Sequence, residues 1–122
     1  MKQHVVVIED SRWLADQYQR QLRNAGYTCT VVHDGPVAID TIDEHIPVAI
    51  ILDVLLQSTT AFALLHELQS HDDLATIPVI LISNIAERIP SLEMEKYGVK
   101  AILDKTTMHP NDLVTTIQDV TS

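Results

Sequence analysis

The sequence predicts an α/β protein: a doubly wound (βα)5 sandwich with a five-stranded parallel sheet and helices on both faces. Three observations predict it. Five short apolar runs, four of them rich in Val and Ile, are separated by segments with helical spacing. That strict alternation implies a parallel sheet covered by helices. The central runs are apolar without polar alternation, as strands buried on both faces must be.

Each element has a local reason. The first strand, Val5–Ile8, is four branched apolar residues ending at Glu9. Leu14, Tyr18 and Leu22 recur every fourth residue as the inner stripe of a first helix, and Gly26 follows as its stop. The second strand is Cys29–Val32. Pro36 suits the first turn of the second helix, with Asp34 placed to cap it. The third strand is Val48–Leu52, and Phe62, Leu65 and Leu68 mark the third helix. Val79–Ile82 is the fourth strand. Pro90 delays the fourth helix to about Ser91; Leu92 and Tyr97 mark it and Gly98 ends it. Ala101–Leu103 is the fifth strand. Leu113, Ile117 and Val120 give a fifth helix started near Pro110 and Asn111. No repeat, linker or low-complexity stretch interrupts residues 1–122, so one domain is expected.

Composition narrows the function classes. At 46% apolar, the chain is not a disordered segment. Its net charge is −9, from 17 acids against 8 bases, which argues against nucleic-acid binding, since phosphates are held by clustered Lys and Arg. The same surplus permits a site where carboxylates crowd together and need a cation. No apolar run can span a bilayer. Met1-Lys2-Gln3 leads straight into the first strand, leaving no room for a signal peptide, so a cytoplasmic protein without membrane contact is expected. The single cysteine, Cys29, excludes an internal disulfide and reads as a small core residue. The six histidines show no metal-binding spacing, and most of them read as surface residues.

In open parallel sheets, sites form beyond the carboxyl ends of the strands, where strand order reverses. The first strand ends in Glu9 and Asp10, the third in Asp53, the fourth in Ser83, the fifth in Asp104 and Lys105. With strands one and three as neighbours, three carboxylates converge beside a hydroxyl and an ammonium. Clustered carboxylates repel, and a divalent cation resolves that; one or two acids plus waters is the habit of Mg²⁺. A metal and a Lys would steady a phosphoryl group in transfer to an aspartate, with the Ser hydroxyl donating to a third oxygen. Each residue alone has a plainer reading. Asp10, with Ser11 behind it, and Asp53 read as helix caps, and Lys105 as a surface lysine. The conjunction at four strand ends is what points to chemistry.

With those motifs in view, the chain resembles the receiver domains of two-component response regulators, from Lys2 to about Val120. The acid pair stands in "IED", the acceptor in "IILDV", the hydroxyl in "LISN", the lysine in "AILDK", and Gly98 precedes the last strand. The resemblance implies a flavodoxin-like fold with strand order 2-1-3-4-5. It implies that Asp53 accepts a phosphoryl group from a histidine kinase or histidine phosphotransfer protein in a phosphorelay. It implies that Asp10 holds Mg²⁺ directly, Glu9 partly through water, and the Leu55 carbonyl as a further ligand. Ser83 and Lys105 would contact the phosphoryl group. The chain would act as a stand-alone signalling domain on a downstream protein, as a monomer or phosphorylation-linked dimer. It would be no enzyme beyond self-phosphorylation and self-dephosphorylation.

Four departures from the family pattern stand out. Thr106 replaces the proline after the lysine, where the family has a cis bond. A cis non-proline bond costs about 2.5–4 kcal/mol, and the expectation is that the site keeps it. Ile102 replaces the switching aromatic. Gln57 and Ala61 replace Pro and Gly in the loop after Asp53; a positive φ at Ala61 would be strained, so a rearranged loop is expected. Asn84 replaces a small residue after Ser83, where it would narrow access or bond the phosphate. Leu55 and Ile85 occupy positions that tune phosphoryl hydrolysis; both are apolar, and slow self-dephosphorylation is expected. Trp13, just past the acid pair, reads as a core residue; exposed there, it would anchor a docking kinase. Tyr97 and Ile102 lie on the family's dimerisation or output face. For Tyr97 and Leu92 the alternative is core packing, which is the expectation for Leu92.

Rival readings meet specific obstacles. A haloacid-dehalogenase phosphatase needs a second Asp where Leu55 stands, and a flavodoxin-like FMN binder needs a Gly-rich loop where "EDSRWLAD" has none. The alternative that fits best is a pseudo-receiver, the same fold used as a phosphorylation-independent interaction module.

Overall fold

The computed structural model describes residues 2–33, 35–54, 59–84 and 91–122, with the backbone alone at residues 35, 36, 59, 60, 91 and 92. Element order is β1 (His4–Ile8), α1 (Arg12–Asn24), β2 (Thr28–Val32), α2 (Gly35–Glu44), β3 (Ala49–Val54), α3 (Thr59–Gln69), β4 (Val79–Ser83), α4 (Ser91–Glu95), β5 (Val99–Asp104) and α5 (Asp112–Thr121). The five strands form one parallel sheet in the order β2-β1-β3-β4-β5. The doubly wound prediction therefore holds, and so does the strand order that the resemblance implied.

Although the central strands read as unbroken apolar runs, the pleat sorts them into two cores. Val5, Val7, Ala49, Ile51, Ile80 and Ile82 pack with Tyr18 and Leu22 of α1 and with Leu113 and Ile117 of α5. Val6, Ile8, Ile50, Leu52, Val54 and Leu81 pack on the other face, with Ala38 and Ile42 of α2, Leu65 and Leu68 of α3, and Met94 of α4. Each such aliphatic side chain removed from water contributes about 1.5–3 kcal/mol.

Local signals acted where expected. Ser11 caps α1, its Oγ accepting from the Leu14 N–H at 3.3 Å. Gly26 and Gly98 hold positive φ, 95° and 80°. Gly98 is also crowded: a Cβ there would lie 2.9 Å from Gln69 Nε2. α5 begins after Asn111, which makes no capping bond; instead the Asp112 carboxylate accepts from the His109 N–H at 2.8 Å.

Several expectations need correction. β3 runs to Val54, so Asp53 lies inside a strand rather than just past it. α4 closes at Glu95, short of Tyr97. Phe62 is exposed; the buried stripe of α3 is Ala61, Leu64, Leu65 and Leu68. Ala61 is helical, and no non-glycine among the described residues has positive φ, so the strain argument for it does not apply. Trp13 is 69% exposed, not a core residue. The expectations on Asp34, Leu55, Gln57, Ile85 and Pro90 lie outside the described residues.

Candidate functional site

The pleat that builds the α1/α5 core also builds the site. Val5 and Val7 are followed two residues on by Glu9; Ala49 and Ile51 by Asp53; Ala101 and Leu103 by Lys105. Each apolar series thus ends in a charged residue on the same face. β1 and β3 are paired to Ile8↔Leu52, and Glu9 N donates to the Val32 carbonyl at 3.0 Å, carrying the ladder one residue on. Glu9 and Asp53 therefore meet side by side at the carboxyl edge of the sheet.

Both acids are enclosed. Glu9 is 2% exposed, and the Asp53 side chain 1%. Lys105 Nζ lies 2.6 Å from Asp53 Oδ2. The Lys105 backbone N–H donates to the carbonyl of Ser83 at 3.0 Å, which ties the lysine to the end of β4. Glu9 Oε1 accepts from the Ser11 N–H at 2.9 Å. Glu9 Oε2 and Asp53 Oδ1 are buried without a hydrogen-bond partner. The Glu9 carboxyl is pushed up to about 8, by burial first and then by the Asp53 carboxylate beside it; the Ser11 N–H and Lys105 pull the other way. One half-buried ammonium thus faces two buried carboxyl groups.

Not all the expected residues converge. Asp10 is exposed, and among the described residues no three His, Cys, Asp or Glu side chains stand close enough to hold a metal. Capping of α1 falls to Ser11, which leaves no capping role for Asp10. The donor chemistry still suits a hard divalent cation: two buried carboxyl oxygens, Glu9 Oε2 and Asp53 Oδ1, lack partners, and Mg²⁺ needs only one or two carboxylates with water completing its shell.

The Lys105–Thr106 bond is trans, as no peptide among the described residues is cis. The trans form carries no cis penalty, and the lysine reaches Asp53 from it. The turn is closed locally: the Thr106 N–H and Oγ1 donate to Asp104 Oδ1 at 2.8 and 2.6 Å. Those two bonds, the hydroxyl's first, hold the Asp104 carboxyl below its usual range.

Ser83 ends β4 fully buried, and Asn84 beyond it is exposed. Ile102 and Tyr97 are half-buried against the core on the α2/α3/α4 side. The exposed Trp13 overhangs a groove lined also by Leu14, Tyr18, Lys105, Met108 and Pro110.

Two arrangements escaped the sequence reading. Tyr18 counts in the sequence only as an apolar helix position, yet burial first and then the charges of Asp53 and Glu9 push its phenol above the usual range. A phenol at the helix position nearest the acids was the available signal. At the opposite edge, the rings of His4 and His45 stack 4.2 Å apart, and His4 Nδ1 and Nε2 lie 2.7 and 3.0 Å from the hydroxyls of Thr28 and Thr30. No short-range spacing announces a contact between residues so far apart in the chain.

Fold and site together define a class: a doubly wound α/β domain with an acid pair, an aspartate and a lysine at the carboxyl edge of its sheet. The family model of the response regulator receiver domain matches residues 5–118, and the chain belongs to that family. It is 29% identical to the response regulator MprA of Mycobacterium ulcerans over 94 residues, covering 76% of this chain and 40% of that protein. The match to MprA of Mycobacterium avium is 29% over 90 residues, 73% and 40%. The chain spans about two-fifths of the length of these relatives. Among solved structures, it resembles the signal receiver domain of a histidine kinase from Syntrophus aciditrophicus, with TM-score 0.82, 25% identity and coverage of 98% and 89%. It also matches chemotaxis protein CheY4 of Vibrio cholerae, with TM-score 0.84, 22% identity and coverage of 98% and 99%, a likeness of fold. Receiver domains are signalling domains of two-component systems.

Proposed function

We propose that this chain accepts a phosphoryl group on Asp53 from a histidine kinase or a histidine phosphotransfer protein, in a Mg²⁺-dependent step, and signals through altered protein contacts. The observation that carries the reading is the buried Asp53 carboxylate with Lys105 Nζ at 2.6 Å and Glu9 beside it. Asp53 is the nucleophile. Lys105 neutralises the incoming phosphoryl oxygens, and Ser83 and Asn84, at the end of β4, donate to them. Glu9, Asp10 and Asp53, with the backbone carbonyl of Leu55, which lies outside the described residues, would hold Mg²⁺. When bound, the cation offsets the charge of the acids and of the phosphoryl group.

Trp13 serves as the anchor for the phosphodonor protein. Its exposure at the start of α1, over a groove that Lys105 also lines, supports that role. Tyr97 and Ile102 form the output or dimerisation face, with Ile102 in place of the aromatic switch. The reading is of a cytoplasmic signalling domain that contacts neither membrane nor nucleic acid, the latter supported by the net charge of −9. Leu55 and Ile85 leave the phosphoryl group long-lived.

The test is acetyl phosphate treatment followed by peptide mass mapping. The expected adduct maps to the peptide containing Asp53 and is absent from Asp53→Asn. Trp13→Ala should leave that labelling intact while slowing transfer from a phosphorylated histidine phosphotransfer protein. An adduct elsewhere, or none, refutes the assignment.

A pseudo-receiver is the second reading. The 1% exposure of the Asp53 side chain, already paired with Lys105, favours it. It predicts no Mg²⁺ binding by titration and no adduct.

A further inference from the structure

At the end of the sheet opposite Asp53, two histidine rings lie face to face. His4 opens β1, and His45 stands in the short connection between α2 and β3. Their ring centroids are 4.2 Å apart and their planes 9° from parallel. The same connection is tied to His4 by its backbone, the Val48 N–H donating to the His4 carbonyl at 2.8 Å. From β2 the His4 ring meets hydroxyls: Nδ1 lies 2.7 Å from Thr28 Oγ1 and Nε2 3.0 Å from Thr30 Oγ1. The Thr28 hydroxyl donates to the Gln3 carbonyl at 3.5 Å, so it accepts from Nδ1–H. Nε2 then accepts from the Thr30 hydroxyl. The neutral ring thus has both nitrogens bonded, and a proton on Nε2 would displace that of Thr30. Lys2, Asp43 and Glu44, the charged residues nearest along the chain, are exposed; among the described residues the one charge that acts on His4 is that of His45. Partial burial first, and then that charge, hold His4 below its usual range.

We propose that the His4–His45 pair is an acid-sensitive clasp: with at most one proton on the pair it holds the α2–β3 connection against the start of β1, and a second proton releases it. The inference stands apart from Asp53 and its chemistry. One proton leaves a charged ring stacked on a neutral one. A second sets two like charges 4.2 Å apart and breaks the bond from Thr30 to Nε2. His4 is fixed in the ladders that β1 makes with β2 and β3, whereas His45 is exposed and lies outside any helix or strand. The strain is therefore relieved by displacing His45, and the Val48 bond lies three residues further along the same connection. The proton balance gives the sign. Unfolded, His4 takes its proton near pH 6.5; folded, it resists until the pH is lower. The stability that the neutral ring contributes is fully present above about pH 6.5 and lost as pH falls through the folded value, the direction opposite to Glu9.

The experiment uses the whole chain as wild type, His45→Phe and His45→Asn. Phe keeps a ring to stack but cannot take a proton; Asn removes ring and charge together. The histidine Cε1–H resonances are followed from about pH 8 to about pH 5, His4 being assigned by its absence from His4→Gln. Protection of the Val48 amide is measured by hydrogen exchange at both ends of that range. In wild type, His4 is expected to titrate at lower pH than in His45→Phe. Val48 protection is expected to be lost at the acid end in wild type, kept in His45→Phe, and weak at both ends in His45→Asn. A His4 titration indifferent to His45→Phe, or full Val48 protection in His45→Asn, overturns the proposal. So does Val48 protection that ignores pH in wild type, or that falls equally in His45→Phe, since other acid-sensitive groups would then be responsible. None of these readouts uses a phosphodonor, so the acceptor reading can fail without this one.

Discussion

Glu9 is the residue at which burial and charge conflict most. Its carboxyl is 2% exposed and raised to about 8, against a usual value near 4.5, because burial and the Asp53 charge both disfavour ionisation. In the folded, metal-free chain it holds a proton that the unfolded chain has already released at neutral pH. The stability that this proton contributes is therefore fully present below about pH 4.5 and lost as pH rises through about 8. Melting temperature in EDTA should fall across that window more steeply in wild type than in Glu9→Gln, which cannot ionise. Equal slopes would show that Glu9 titrates normally. Excess Mg²⁺ should offset the loss at the alkaline end if the acids hold the cation, because a ligand that binds only the folded state stabilises it.

At the scale of elements, the two positive-φ glycines make a controlled pair. Gly98, at φ 80°, has no room for a Cβ, which would lie 2.9 Å from Gln69 Nε2 and 3.4 Å from the Ala75 carbonyl. Gly26, at φ 95°, has nothing within 4 Å. Gly26→Ala should lose only the backbone penalty of about 1–2 kcal/mol, and Gly98→Ala should lose more, by denaturant titration. Ser11→Ala should cost about 1 kcal/mol by removing the cap of α1. It leaves the Ser11 backbone N–H, and so its bond to Glu9, in place.

These elements also show what the sequence could and could not reveal. The strands, Gly26 and Gly98 were legible because β-branched runs and helix stops act locally. The acids at strand ends were legible because a parallel sheet carries its sites at its carboxyl edge. Asp53 looks as if it lies past its strand because a charge ends an apolar run; the ladder continues through it to Val54, and Lys105 pairs with the buried carboxylate. A core place for Trp13 is the plainer expectation, but on α1 the buried positions are Ala15, Tyr18 and Leu22, and Trp13 falls off that stripe. The trans bond at Thr106 lies in a turn where Asp104 accepts two bonds from that threonine, a local contact that the strand-end motifs do not announce.

For the whole molecule, two cores divided by one sheet explain why the site is where it is. The α1/α5 face ends in Glu9, Asp53 and Lys105, and the groove beside Trp13 opens from the same side. The proposed receipt of a phosphoryl group and the proposed docking of its donor would thus share one end of the domain. The Tyr97 and Ile102 side chains pack on the opposite core. Between the two sides, the ends of β4 and β5 are joined by the backbone bond from Lys105 N–H to the Ser83 carbonyl. The most direct test of the central claim is intact mass after incubation with acetyl phosphate, with and without Mg²⁺, on wild type and Asp53→Asn. A single phosphoryl adduct that requires both Mg²⁺ and Asp53 is the predicted result. No adduct on wild type, or an equal adduct on Asp53→Asn, would contradict it.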